Sequence, residues 1–155
     1  MATGDGRAAV SLDASELTIG IVRARWNEAI VERLAAGAER AIEQTGAGAM
    51  LASAPGSFEL PFAAQTLATS GRVDAIVVLG VVIRGETTHY ELVSEGCASG
   101  VMRVQLDTGV PIGFGVLTVE DEAQALARSQ GTGGHNVGEE ATLAALEMAQ
   151  LRRHT

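Results

Sequence analysis

Ala75-Ile76-Val77-Val78-Leu79-Gly80-Val81-Val82 runs directly into Ile83-Arg84-Gly85-Glu86-Thr87-Thr88-His89-Tyr90-Glu91. The first run is apolar throughout, as expected of a strand buried on both faces in a parallel sheet. A glycine turn and an amphipathic helix pattern follow, so the strand ends where a helix begins. In open α/β sheets ligands collect outside the carboxyl ends of strands. Thr88 and Glu91 have the S/T-x-x-E spacing of a capping box, which makes Thr88 the expected N-cap and His89 the first helical residue. Backbone N–H groups at such a helix start hold anions, here with an imidazole alongside. The pattern fits a site for a phosphorylated substrate that needs proton transfer. It fits equally an ordinary strand-to-helix turn carrying a surface histidine.

The same alternation extends in both directions. Leu17 to Val22 reads as a first core strand. Ile30, Leu34, Gly37, Ala38, Ala41 and Ile42 recur at helical spacing, and Gly46 and Gly48 stop that helix. Ala49 to Ala54 is a weaker second strand, broken by Pro55-Gly56. A helix is expected from about Ser57 to Thr69, with Pro61 tolerated because it falls in the first turn. Residues 73–82 form the clearest strand, and Leu92, Val93, Cys97, Val101 and Val104 mark the long helix after it. Val110 to Leu117 is a fourth strand. Thr118 and Asp121 suggest another capping box, opening a short helix to about Arg128. A glycine-rich loop, Gly131 to Asn136, leads to a last helix capped by Asn136 and Glu139. Alternating strands and helices with doubly buried strands imply a three-layer α/β sandwich. Its four-stranded parallel sheet is flavodoxin-like in outline, with right-handed crossovers. Residues 1–16 are expected to form a mobile arm, within which Ala8 to Leu12 suits a short edge strand. Residues 17–155 form the domain.

Composition narrows the function. The 155 residues suit one domain with a real core, and only 3% of them are aromatic, so helices must pack through small side chains. The net charge of −8, with no basic stripe, argues against nucleic acid. The single cysteine, Cys97, excludes an intramolecular disulfide and suits a reducing cytoplasm. Lying mid-helix among small and apolar residues, it reads as a buried thiol rather than a nucleophile. The N-terminal stretch reads as neither a signal peptide nor a membrane span. No two histidines have metal-ligand spacing, and there is no CxxC, G-x-S-x-G, Walker or dinucleotide fingerprint. No metal and no cofactor are expected.

The turns after the first three strands carry the candidate chemistry. They present Trp26, then Ser57-Phe58-Glu59, then Gly85 to His89. If the strands are parallel, these turns share one sheet edge. Together they suggest a flat heterocycle stacked on Trp26 or Phe58, hydrogen-bonded by Glu59 and main-chain groups. Each residue also has an ordinary explanation: Trp26 at the core edge, Phe58 in core packing, Glu59 as a charge favoured at a helix start.

Trp26-Asn27, Pro55 to Pro61, Leu79 to Tyr90 and Pro111 to Thr118 together resemble the 6,7-dimethyl-8-ribityllumazine synthase family. The resemblance runs in order from about Thr18 to Arg152, and its I-R-G-x-T-x-H segment is highly specific. It implies the penultimate step of riboflavin biosynthesis, a condensation of 5-amino-6-(D-ribitylamino)uracil with 3,4-dihydroxy-2-butanone 4-phosphate that releases phosphate and water. By position it places Trp26 over the pyrimidine and Ser57, Phe58 and Glu59 on the ribityl chain. Val81, Val82 and Ile83 supply main-chain and apolar contacts to the ring. Glu86 and Thr87 fall where backbone groups hold the phosphate, with Arg128 as its cation. His89 is the proton-transfer residue. Phe114 and Arg128 reach the site from a neighbouring subunit. The resemblance also implies pentamers, in some members a hollow icosahedral shell of twelve pentamers, and association with riboflavin synthase.

One position departs from the family pattern. Val137 stands where members often carry a lysine, just before the glycine that opens the last helix, and the loop from Arg128 to Gly138 is one residue longer than the short form. Val137 is the only sequence support for the competing reading, a catalytically weak lumazine- or riboflavin-binding homologue. A flavodoxin-type FMN carrier fits less well, because Arg25-Trp26-Asn27 is not a Ser/Thr-rich phosphate loop.

Overall fold

A computed structural model describes residues 12–155. The strands are β1 (Thr18–Ala24), β2 (Gly48–Ala54), β3 (Ala75–Ile83) and β4 (Ile112–Val119). The helices are α1 (Glu28–Thr45), α2 (Leu60–Ala68), α3 (His89–Thr108), α4 (Glu122–Ala127) and α5 (Val137–Arg153), with a 3-10 turn at Ser57–Glu59. All strand pairings are parallel and the order is β2-β1-β3-β4. The expected flavodoxin-like α/β sandwich is thus the fold observed.

Period-two alternation divides each strand between two cores. Ile19, Ile21, Val77, Leu79, Val81, Leu117 and Val119 pack with α1 and α5 on one face. Val22, Ala24, Ile76, Val78, Ile112 and Val116 pack with α2 and α3 on the other. This is why β3, central in the sheet, needs an unbroken apolar run. β2 lies at the edge, and Leu51 on it is 73% exposed, which explains its weaker pattern.

Several boundaries move for local reasons. Gly46 ends α1 in the left-handed region at φ 81°, but Gly48 opens β2 instead of helping to stop the helix. The last strand begins after Pro111, which has no amide to donate, and runs on to Val119. It therefore absorbs Thr118, and the expected Thr118–Asp121 box is replaced by Asp121 alone, whose carboxylate accepts from Gln124 N at 2.8 Å. The Asn136–Glu139 pair forms only half a box: Asn136 Oδ1 accepts from Glu139 N at 3.0 Å, whereas the Glu139 carboxylate faces Arg40 at 3.3 Å. Leu92, placed in the periodic stripe of α3, is 67% exposed, whereas Cys97, Val101 and Val104 are buried.

The layer of α1 and α5 closes through small residues. The Asn136 side chain occupies the space a Cβ on Gly37 would need, and it donates to Arg33 O at 3.0 Å and Gln130 O at 2.9 Å. Residues 12–17 dock on this layer too: Ala14 is buried and its amide donates to Thr45 O at 2.8 Å, while Arg153 pairs with Glu16 at 2.7 Å. The body thus includes residues that the sequence assigns to the N-terminal arm. The strand expected over Ala8 to Leu12 lies, except for Leu12, outside the described residues.

Candidate functional site at the carboxyl rim of the sheet

Pairing between β1 and β3 stops at Arg23–Leu79, while pairing between β3 and β4 continues to Ile83–Val119. The last residues of β3 therefore extend beyond β1. Arg84 N donates to Val119 O, so even-numbered residues here face β4 and odd-numbered ones, Val81 and Ile83, face the gap beside β1. Their main-chain groups line a slot beside the end of β1. The Val81 carbonyl accepts from Asn27 Nδ2 at 3.2 Å. Val81 is buried and Val82 and Ile83 are partly buried, each side chain turned into one of the two cores.

The turns after β1 and β2 meet at this slot. Asn27 has φ 60°, the only non-glycine residue in the left-handed region among those described, and asparagine tolerates that region better than most residues. This kink leaves Trp26 68% exposed with its ring over Gly56, where an added Cβ would lie 3.1 Å from the indole. Trp26 N donates to Pro55 O at 3.2 Å, and Glu59 Oε1 accepts from Gly56 N at 3.0 Å. Ser57 is buried, and its Oγ would lie 2.5 Å from a Cβ at position 80, so Gly80 is what admits it. Phe58 rests on α3 at Gly96 yet stays 60% exposed. Sequence reasoning named Trp26, Ser57, Phe58 and Glu59 and gave no role to Asn27, whose signal was its residue type immediately before a helix.

The third turn brings in the histidine. Glu86, Thr87 and His89 are all exposed. Thr88 is the N-cap of α3, as expected, but its side chain makes no capping bond, so the Thr88–Glu91 box is not formed. Thr87 Oγ1 instead accepts from His89 N at 3.3 Å, and Glu91 Oε2 accepts from Arg84 Nη1 at 2.7 Å. The first backbone bond of the helix runs from Leu92 N to Thr88 O at 3.2 Å, so the amides of Tyr90 and Glu91 point out of the helix end. Arg84 also donates from Nε to Glu120 Oε2 at 3.0 Å and lies 4.4 Å from the centroid of the Tyr90 ring. Its guanidinium pKa is raised, chiefly by the Glu120 hydrogen bond and then by Glu91.

Phe114 stands apart from this cluster, and Arg128 is tied to its own helix. Phe114 pairs with Val78, five residues below the Ile83–Val119 pair, which puts it about 16 Å down the strand at ~3.3 Å per residue. Arg128 is the C-cap of α4, and its Nη1 donates to Gln124 O at 3.0 Å. Val137, at the first position of α5, packs its side chain against the core. Burial pushes the Cys97 thiol up to about 12, so it stays protonated and unreactive. A cavity of ≈ 220 Å³ lined by Leu17, Asp74, Ala149, Arg152 and Arg153 lies at the opposite rim, away from all of these groups. Among the described residues, no three His, Cys, Asp or Glu side chains cluster as around a metal ion, and no helix is long and apolar enough to cross a membrane.

A parallel sheet whose carboxyl rim gathers an exposed indole, a buried serine, a carboxylate and an open helix end defines a flavodoxin-like α/β protein with a candidate small-molecule site. Residues 16–153 match the family model for 6,7-dimethyl-8-ribityllumazine synthase. The chain is 48% identical over 147 residues to the 6,7-dimethyl-8-ribityllumazine synthase of Kineococcus radiotolerans, covering 94% of this chain and 91% of that one. Proteins of the same name from Deinococcus deserti and Thermococcus gammatolerans are 46% identical over 150 residues and 47% identical over 138. These cover 95% and 88% of this chain, and 96% and 88% of theirs. The chain belongs to the 6,7-dimethyl-8-ribityllumazine synthase family.

Proposed function

We propose that this chain condenses 5-amino-6-(D-ribitylamino)uracil with 3,4-dihydroxy-2-butanone 4-phosphate to give 6,7-dimethyl-8-ribityllumazine, phosphate and water. It thereby acts as a transferase in the penultimate step of riboflavin biosynthesis, in the cytoplasm. The observation that carries the reading is the meeting of Trp26, Ser57 to Glu59 and the free edge of Val81 to Ile83 at one rim, in a chain of this family. Relatives at this identity bear the enzyme's name, which favours catalysis over the binding-only homologue.

In this reading the pyrimidine stacks on Trp26 and meets the main chain of Val81 to Ile83, with Val82 and Phe114 as apolar walls. Ser57, Phe58 and Glu59 hold the ribityl chain. The phosphate sits at the open end of α3, held by backbone groups of Glu86 and Thr87 and by Arg128. Imine formation, phosphate elimination, ring closure and dehydration each move protons, and His89 serves them because an imidazole can both accept and donate one. An arginine offers a phosphate a paired, charge-assisted contact. Phe114 and Arg128 come from a neighbouring subunit, so the working unit is a pentamer, which in turn allows a closed shell and association with riboflavin synthase.

The test is an absorbance assay for lumazine formation, with purified protein and both substrates. Saturable, enzyme-dependent production of lumazine supports the reading. Tight lumazine or riboflavin binding with no rate above the uncatalysed condensation would establish the binding-only alternative.

A further inference from the structure

We infer that Arg84 is a positioning residue, which holds the Glu91 carboxylate off the N-terminus of α3 and so keeps that helix end open for the substrate's phosphate. The inference rests on the proposed placement of the phosphate at Glu86 and Thr87. Glu91 is the third residue of α3, the place from which a glutamate ordinarily folds back onto the N-cap amide in a capping box. With Thr88 as N-cap the spacing is complete, yet the side chain turns the other way, to Arg84 Nη1 at 2.7 Å. The competing partner is well anchored. Arg84 follows β3 directly, and its amide still bonds Val119 O at 2.8 Å as part of the sheet. Its guanidinium is fixed from two further sides, by Glu120 Oε2 at 3.0 Å, just past β4, and by the ring of Tyr90 at 4.4 Å. One planar fork thus fastens the ends of β3 and β4 to the two residues that follow His89, a geometry lysine cannot reproduce.

Without Arg84, Glu91 is free to complete the capping box. A carboxylate would then take the Thr88 amide and place a negative charge beside Thr87, where the phosphate should bind. Helix-end charge effects are modest, so the Michaelis constant for the phosphate substrate should rise about threefold to tenfold. The pyrimidine, placed on Trp26 and along Val81 to Ile83, does not use the end of α3 and should be little affected.

The experiment compares full-length Arg84→Ala, Glu91→Ala and the Arg84→Ala/Glu91→Ala double variant, each assayed with both substrates and melted thermally, with His89→Ala and Arg128→Ala in parallel. The expected result is a selective rise in the Michaelis constant for the butanone phosphate in Arg84→Ala, largely reversed when Glu91 is also removed. Equal rises for both substrates, or no recovery in the double variant, would overturn the inference, the second outcome making Arg84 a direct ligand instead. If Arg128→Ala and His89→Ala behave as wild type, the placement of the phosphate and of proton transfer fails. If they are impaired while Arg84→Ala is not, only the role of Arg84 fails.

Discussion

His89 and Trp26 carry the most direct tests at the level of single residues. The His89 ring is exposed at the first position of α3, so truncating it removes little packing. His89→Ala should lower the turnover number by about 10²–10⁴-fold, the range for a positioned acid–base group, with smaller changes in either Michaelis constant. An unchanged turnover number removes His89 from the mechanism. Trp26, the only tryptophan, is 68% exposed and therefore contributes little to the core. Its fluorescence should be quenched saturably by lumazine or riboflavin. Trp26→Ala should lose stacking of about 0.5–1.5 kcal/mol beyond buried area, several-fold to tenfold in affinity, with the thermal midpoint nearly unchanged. Trp26→Phe should retain most of the affinity. A lowered midpoint with normal affinity would return Trp26 to a structural role. Both residues were legible because tryptophan and histidine are rare here and sit at strand ends. Asn27 and Arg84 were not, because their importance lies in what they bond: a carbonyl on β3 and carboxylates on α3 and beyond β4.

At the level of elements, period-two and period-3.6 patterns located all four strands and the long helices, because each must bury a definite face. Helix starts were less legible. Three S/T/N-x-x-D/E spacings suggested caps, yet Glu91 and Glu139 bond to arginines distant in sequence or beyond the cap, and Thr118 stays in β4. Spacing shows that a cap is available, while tertiary partners decide whether it forms. At the α1–α5 contact the box is half formed, but the cap residue's own side chain is fully used. Asn136 satisfies Arg33 O, Gln130 O and Glu139 N from the space above Gly37. It also fixes the loop whose other end is Arg128, since Val137 N donates to Arg128 O at 2.9 Å. Gly37→Ala should displace Asn136 and destabilise the fold by about 1–3 kcal/mol, the usual cost of overpacking. It should also weaken use of the phosphate substrate more than of the pyrimidine. Calorimetry beside steady-state kinetics checks both parts, and a midpoint equal to wild type would show that the layer yields without cost.

For the whole molecule, one subunit does not gather all the residues that the site is expected to use. Phe114 lies well below the rim, and Arg128 rests on its own helix. The subunit also leaves Phe62, Leu92 and Leu106 each at least 67% exposed, on the α2 and α3 side of the sheet that also bears Phe114. Single exposed apolar residues are ordinary, whereas contiguous patches of them mark interaction surfaces. No sequence pattern within one chain can show this, because periodicity reports which face is buried but not whether its own chain or a copy buries it. If neighbouring copies meet there, each site takes His89 from one subunit and Phe114 with Arg128 from the next. Two inactive variants should then complement each other. Co-expressed His89→Ala and Arg128→Ala subunits will include interfaces where an intact His89 faces an intact Arg128. In a ring assembled at random from equal amounts, about one interface in four has both wild-type groups, so roughly a quarter of wild-type activity should return from two nearly inactive parents. Subunits that each hold a complete site give no such recovery, because every site then carries one of the two lesions. Sedimentation on the same samples separates failure to assemble from failure to share, and a fully active monomer would dispose of the shared site altogether.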